Sequence, residues 1–216
     1  MKILEHILDL LYPPRCPFCR GLTNGGQLIC RACRRALPVV PRAAQEKRVD
    51  GLARCCSALF YDGGVRASIL RYKFGGAAAY CRAYGEILAA CIDENDISCD
   101  IITWAPISRQ RMRRRGYDQA QLMAQELSRL TGVPCARLLK KTRNNPAQSG
   151  TNSRAARYRN VKGVYAPAPG AAIAGRRVLV IDDVVTTGAT LSECAAVLKA
   201  AGAAEISALT LARKMG

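Results

Sequence analysis

Histidine is nearly absent from this chain: 216 residues contain one, His6. With a single imidazole, placed in an N-terminal stretch of helical apolar spacing, hydrolase chemistry of the Ser-His or Cys-His kind lacks its base. Long apolar runs are missing too, and no segment approaches the roughly 18 residues that a membrane-spanning helix needs. Met1 to Tyr12 comes nearest to a targeting segment, but Glu5, His6 and Asp9 interrupt it and no small-residue cleavage site succeeds it. Its Ile3, Leu4, Ile7, Leu8 and Leu11 instead predict a short amphipathic packing helix, and a cytoplasmic location is expected. Aromatic rings are few, with three Phe and one Trp, so the stacking platforms of single-strand nucleic-acid binders are scarce. Acids are outnumbered, 16 Asp and Glu against 33 Lys and Arg, for a net charge of +17.

The basic excess is uneven. Arg109 to Lys162 holds fourteen Arg and Lys against Asp118 and Glu126 alone. A field of that sign attracts polyanions such as nucleic acid or pyrophosphate, while a solvated face that aids solubility is the alternative. The length suits one ordinary domain with a small appendage, and the composition shift places the boundary near residue 50: 1–50 for the appendage, 51–216 for the main domain.

Eleven cysteines without an export signal argue against a disulfide framework. Cys16-Pro-Phe-Cys19 and Cys30-Arg-Ala-Cys33 form two Cys-x-x-Cys knuckles separated by ten residues, a spacing that can wrap one Zn²⁺ tetrahedrally. Gly21, Gly25 and Gly26 supply the turn between them, and Arg15, Arg20, Arg31 and Arg34 offset thiolate charge. Two redox-active or merely buried pairs are the other reading. A four-sulfur site is closed, so its role is structural. The remaining seven cysteines lack ligand spacing and read as small buried residues; the adjacent Cys55 and Cys56 would chelate one metal poorly.

Pro13-Pro14 ends the first helix, and Pro38 and Pro41 lie in a connector running to Asp50. Strands are predicted at Ser57–Tyr61, Asp100–Trp104, Val133–Lys140, Arg177–Ile181 and Glu205–Leu211, and helices at Gly64–Phe74, Ala77–Ile92, Tyr117–Leu130 and Leu191–Ala201. Lys141 to Val161 is polar and basic with no sustained period, the mark of a lid or binding loop. Alternating strands and helices imply an α/β fold with a parallel sheet and a ligand at the strands' carboxyl ends.

The most informative segment runs from Val178 to Thr190: Val-Leu-Val-Ile-Asp-Asp-Val-Val-Thr-Thr-Gly-Ala-Thr. A β-branched run meets two carboxylates, passes a Thr/Gly turn and opens into a helix. Unpaired N–H groups and the helix dipole at such a turn hold a phosphate, and the acids accept hydrogen bonds from vicinal hydroxyls. A ribose 5-phosphate presents both faces. The turn Ala105-Pro106-Ile107-Ser108 and the arginines 109, 111, 113, 114 and 115 should meet it at the same sheet edge.

Val180 to Thr190 resembles the 5-phosphoribosyl 1-pyrophosphate (PRPP) signature of type I phosphoribosyltransferases. The wider chain resembles the ComF family of competence-associated proteins. That resemblance rests on Leu-Tyr-Pro-Pro-Arg-Cys with its four cysteines, Tyr72-Lys73-Phe74-Gly75 and the Ala-Pro turn. It continues through Arg114-Arg115-Gly116-Tyr117-Asp118-Gln119, then Gln148, Arg154 and Asn160, to the final signature. The resemblance implies a type I phosphoribosyltransferase fold with a flexible hood, plus an N-terminal zinc ribbon. It also implies that Asp182 and Asp183 bind the ribose hydroxyls of PRPP, and that Thr186, Thr187, Gly188, Ala189 and Thr190 hold the 5-phosphate. Ala105, Pro106, Ile107 and Ser108 would form a pyrophosphate loop with Mg²⁺ neutralising charge, Arg109 and Arg115 would steady the pyrophosphate, and Lys141 to Val161 would be the hood. Lys73 is a ligand contact or a simply exposed lysine. Asp118 departs from the family, which more often has Asn there; an acid among five arginines can pair with one of them but cannot donate as the amide does.

Two functions are compatible with these features. One is a phosphoribosyltransferase that displaces Mg²⁺-pyrophosphate from PRPP, its acceptor unread. The other is a binding protein that holds PRPP or a nucleotide while its basic face and zinc module engage single-stranded DNA or a DNA-uptake partner, as the family's association with natural transformation implies.

Overall fold

Val178 to Ile181, the most β-prone run in the chain, lies inside a parallel sheet with cores on both sides, as a run of unbroken apolar residues requires. The computed structural model describes residues 15–23, 26–144 and 154–215, with the side chains of 154–157 excepted. The helix expected over Met1 to Tyr12 lies outside them. In chain order the elements are α1 (Arg31–Ala36), α2 (Arg42–Gln45), β1 (Arg54–Phe60), α3 (Gly63–Phe74), α4 (Tyr80–Glu94), β2 (Ile101–Trp104), α5 (Arg109–Arg115), α6 (Gln119–Thr131), β3 (Leu139–Lys141), α7 (Arg154–Val161), β4 (Tyr165–Pro167), β5 (Arg177–Val185), α8 (Ala189–Ala200) and β6 (Glu205–Arg213). Among the described residues no helix is long and apolar enough to cross a membrane.

The main sheet has the order β1-β6-β5-β2, with every neighbour parallel. Residues 179 and 181 of β5 join the core under α3, α4 and α6, and residues 178 and 180 join the core under α8 and the β3–β4 ribbon. This is the period-2 alternation of a strand covered on both faces. Helices α4 and α6 meet closely at Gly85, where an added Cβ would come within 2.4 Å of Glu126 Cγ.

Three differences from expectation bear on the site. β5 runs on to Val185, because β6 keeps pairing with it through Asp182 opposite Thr210 and Val184 opposite Ala212. The arginine run forms helix α5, capped by the Ser108 hydroxyl, which accepts from Arg111 N, and closed by left-handed Gly116 at φ 80°. The strand expected at Val133–Lys140 is reduced to a bridge between Ile102 and Cys135, followed by β3. Pro134 has no N–H for the ladder, and β3 turns away to pair antiparallel with β4.

Candidate functional site

The carboxyl ends of β2 and β5 are adjacent, since Trp104 pairs with Ile181. The Ala105–Ser108 turn and the Asp182–Thr190 segment therefore leave the sheet side by side. The structure brings Asp182, Asp183, Lys73, Arg115 and Asp118 into one electrostatic neighbourhood, each influencing another's ionisation.

The two acids face different surroundings. Asp183 turns to α3, where Lys73 Nζ donates to it at 2.8 Å in a pair that is mostly buried. Asp182 influences Cys194 of α8, Lys141 of β3 and Tyr165 of β4, the other side of the sheet. Burial and the neighbouring Asp183 charge raise the Asp182 carboxyl to about 7. Burial brings the Lys141 ammonium down to about 8; its Nζ donates to the Tyr165 hydroxyl at 3.4 Å and lies 5.1 Å from the centre of that ring.

Beyond β5, Gly188 takes φ 86° and starts α8 without a side-chain cap of its own. Thr187 Oγ1 accepts weakly from Ala189 N at 3.4 Å, and the first bond of the helix proper is Ser192 N to Gly188 O at 2.8 Å. The N–H groups of a helix's first turn have no partner within the helix, an arrangement that can receive an anion. Two walls close it. Lys47 Nζ donates to Thr186 O, with Val49 packed beneath Gly188, and the Tyr158 hydroxyl of α7 donates to Thr187 O at 3.4 Å.

On the β2 side, Ile107 N donates to Asp118 Oδ2 at 2.9 Å, and Ser108 Oγ donates to Asn144 Oδ1 at 2.8 Å. Asp118 also caps α6, its Oδ1 accepting from Ala120 N and Gln121 N. Its hydrogen-bond partners are backbone N–H groups, not one of the arginines it could have paired with, and burial raises its carboxyl above the usual range. The Arg115 guanidinium donates to Gln119 Oε1 at 2.7 Å and stacks 4.8 Å from the centre of the exposed Phe74 ring; Arg114 lies 5.7 Å from the same ring. Arg109 starts α5, exposed beside the turn.

Lys47, Val49, Lys141, Tyr158 and Asn144 carry no local motif in the sequence. Each reaches the site from a distant segment, and only the polar, basic character of the stretch beginning at Lys141 signalled any of them. Of that stretch, 145–153 lies outside the described residues, and α7 brings Tyr158 to the turn.

The phosphoribosyl transferase domain family matches residues 113–216, and the double zinc ribbon domain family matches residues 7–45. Competence protein F of Haemophilus influenzae is 36% identical over 110 residues, which cover 50% of this chain and 48% of that protein. Competence protein ComFC of Bacillus subtilis is 26% identical over 218 residues, covering 89% of this chain and 87% of its relative. Over most of its length the chain is similar to the competence protein ComFC, and over about half of it to Competence protein F. The DNA utilization protein YhgH of Escherichia coli is 34% identical over 118 residues, or 54% of this chain and 50% of that protein. The chain thus spans about half the length of Competence protein F and of YhgH.

The zinc module matched by the double zinc ribbon family is present in geometry as well as in spacing. The four thiol sulfurs of Cys16, Cys19, Cys30 and Cys33 lie within 4.8 Å of one another. Cys19 and Cys30 Sγ are 3.6 Å apart. That is far beyond a disulfide at roughly 2.05 Å and close to the roughly 3.8 Å edge of a tetrahedron with Zn–S about 2.3 Å. Gly21 N and Cys33 N each donate to a sulfur at 3.4 Å, as knuckle turns do. Soft sulfur donors in this arrangement fit a structural Zn²⁺, and the redox-pair reading falls away. The module docks on the domain through Arg71, which donates to the carbonyls of Pro17 and Phe18 at 2.7 and 3.1 Å, and through Phe18 against Tyr84. The other seven cysteines are buried or half-buried free thiols, as expected.

Proposed function

We propose that the cleft between β2 and β5 binds a 5-phosphorylated ribose, with PRPP as its ligand, and that the protein serves DNA uptake or utilization as the names of its relatives suggest. The observation that carries the reading is the union, within one turn of chain, of an uncapped helix start and two carboxylates on a strand end. Thr186 to Thr190 take the 5-phosphate through N–H groups and hydroxyls, and Asp182 and Asp183 accept the ribose hydroxyls. Lys73 neutralises Asp183 in the free protein and moves with it to the ligand. Arg109 and Arg115 offer guanidinium groups to pyrophosphate oxygens. Mg²⁺ arriving with PRPP neutralises pyrophosphate charge, a role to which the hard oxygens of the two acids are suited. If the protein turns over PRPP, the chain orients the anomeric carbon and stabilises the leaving group.

A second reading, single-stranded DNA binding by the α5 face, is favoured by Phe74, 55% exposed and flanked by Arg114 and Arg115. One experiment addresses both. Wild type and the Asp182→Asn/Asp183→Asn variant are titrated with PRPP by calorimetry and with a single-stranded oligonucleotide across a salt series. The double variant should lose PRPP binding while keeping its fold. Unchanged PRPP affinity sinks the ribose contacts, and no DNA affinity at physiological salt sinks the second reading.

A further inference from the structure

A pyrophosphate loop works by presenting backbone N–H groups to phosphate oxygens, and in this chain the donors of the Ala105–Ser108 turn are largely committed. Ala105 N donates to Ile181 O at 3.0 Å, Pro106 has no N–H, and Ile107 N donates to Asp118. Three of the four residues therefore have no N–H to offer, and the hydroxyl of the fourth, Ser108, is given to Asn144. Asp118 is 4% exposed and uses both carboxylate oxygens, one for Ile107 and the other for the cap of α6. An amide at this position cannot do both, because one of its two terminal atoms is a donor.

We propose that Asp118 is a positioning residue that latches the pyrophosphate half of the cleft. It occupies the Ile107 N–H that a pyrophosphate oxygen needs and sets a negative charge beneath the turn. A ligand's diphosphate must displace that carboxylate, whereas a 5-phosphate meets the separate cradle at α8 and has no carboxylate to displace. The latch therefore weakens the hold on the pyrophosphate half of PRPP while leaving the hold on its ribose 5-phosphate half unchanged. The inference rests on the ribose-phosphate reading of the cleft.

The test uses the full zinc-loaded chain at fixed Mg²⁺, as wild type, Asp118→Asn and Asp118→Ser. Both variants keep a side-chain acceptor for the α6 cap, and thermal melts verify folding. Calorimetry with inorganic pyrophosphate, PRPP and ribose 5-phosphate should show pyrophosphate and PRPP binding about tenfold tighter in both variants, the equivalent of about 1.4 kcal/mol. Ribose 5-phosphate affinity should stay within about twofold of wild type, a split that a merely structural role would not produce. Hydrogen exchange reads the latch without ligand: the Ile107 amide should be protected in wild type and exchange faster in both variants. Unchanged or weaker pyrophosphate binding, an equal gain for all three ligands, or unchanged Ile107 protection overturns the proposal. If wild type fails to bind ribose 5-phosphate at all, the reading of the cleft falls, and the proposal with it.

Discussion

Replacing Gly188 with alanine tests the proposed phosphate cradle at its tightest point. The residue sits at φ 86°, a left-handed conformation that costs a residue with a Cβ about 1–2 kcal/mol. An ideal Cβ there would stand 2.8 Å from Val49 Cγ2 and 3.1 Å from Cγ1, so something must move. Val49 is 4% exposed and cannot swing into solvent, which makes this an overpacking problem worth about 1–3 kcal/mol. Gly188→Ala should therefore lower stability by about 2–5 kcal/mol, or relax by shifting the turn and weakening ribose 5-phosphate binding. Adding Val49→Ala removes the steric part and leaves the conformational part. The double-mutant cycle should then show a favourable coupling of about 1–3 kcal/mol. Urea unfolding followed by fluorescence reads it directly, because the single tryptophan, Trp104, is 6% exposed at the end of β2 beside the site. Additivity within about 0.5 kcal/mol would refute the claim that Val49 is what excludes a side chain.

Two other outcomes can be checked alongside. Asp182, raised to about 7 by burial and by Asp183, keeps a proton in the native state that the unfolded chain releases near about 4. The stability this group contributes is therefore present in full below about 4 and is lost as pH rises through about 7. Ribose hydroxyls need the ionised form, so ribose 5-phosphate affinity should rise from about pH 6 to about pH 8 by more than the phosphate's own ionisation near about 6 explains; a wild-type profile parallel to that of Asp182→Asn refutes the role. Metal analysis should find one zinc in the Cys16, Cys19, Cys30, Cys33 cluster, lost with Cys16→Ser/Cys19→Ser. Because Arg71 and Tyr84 hold the module against α3 and α4, the loss should lower the melting temperature of the whole chain, and an unchanged melt would mean that the docking contributes nothing.

The features legible in the sequence are those written in local spacing. The paired Cys-x-x-Cys knuckles, the β-branched run into two acids and the Gly at a helix start each describe their own geometry within a few residues. The α5 helix was not predicted: Ser108 and Gly116 mark its ends, but an all-basic run has no apolar stripe to announce it. The extent of β5 was not: whether Asp182 lies in the strand or beyond it depends on how far β6, 28 positions later by register, continues to pair. Lys47, Val49 and Tyr158 were invisible for the same reason, since each meets the cradle through a contact remote in sequence. For Asp118 the sequence indicated a lost donor; only the geometry shows the two acceptors gained.

The alternation along β5 carries a consequence for how this site can change. Asp183 is held from the α3 side by Lys73, and Asp182 adjoins Cys194 and Tyr165 of the core on the α8 and ribbon side. Substitutions on either face can therefore shift the charge between two acids that already influence each other. Two relatives could then keep the same pair of aspartates and differ in which of them bears the charge, so that identical letters at positions 182 and 183 need not report identical ligands.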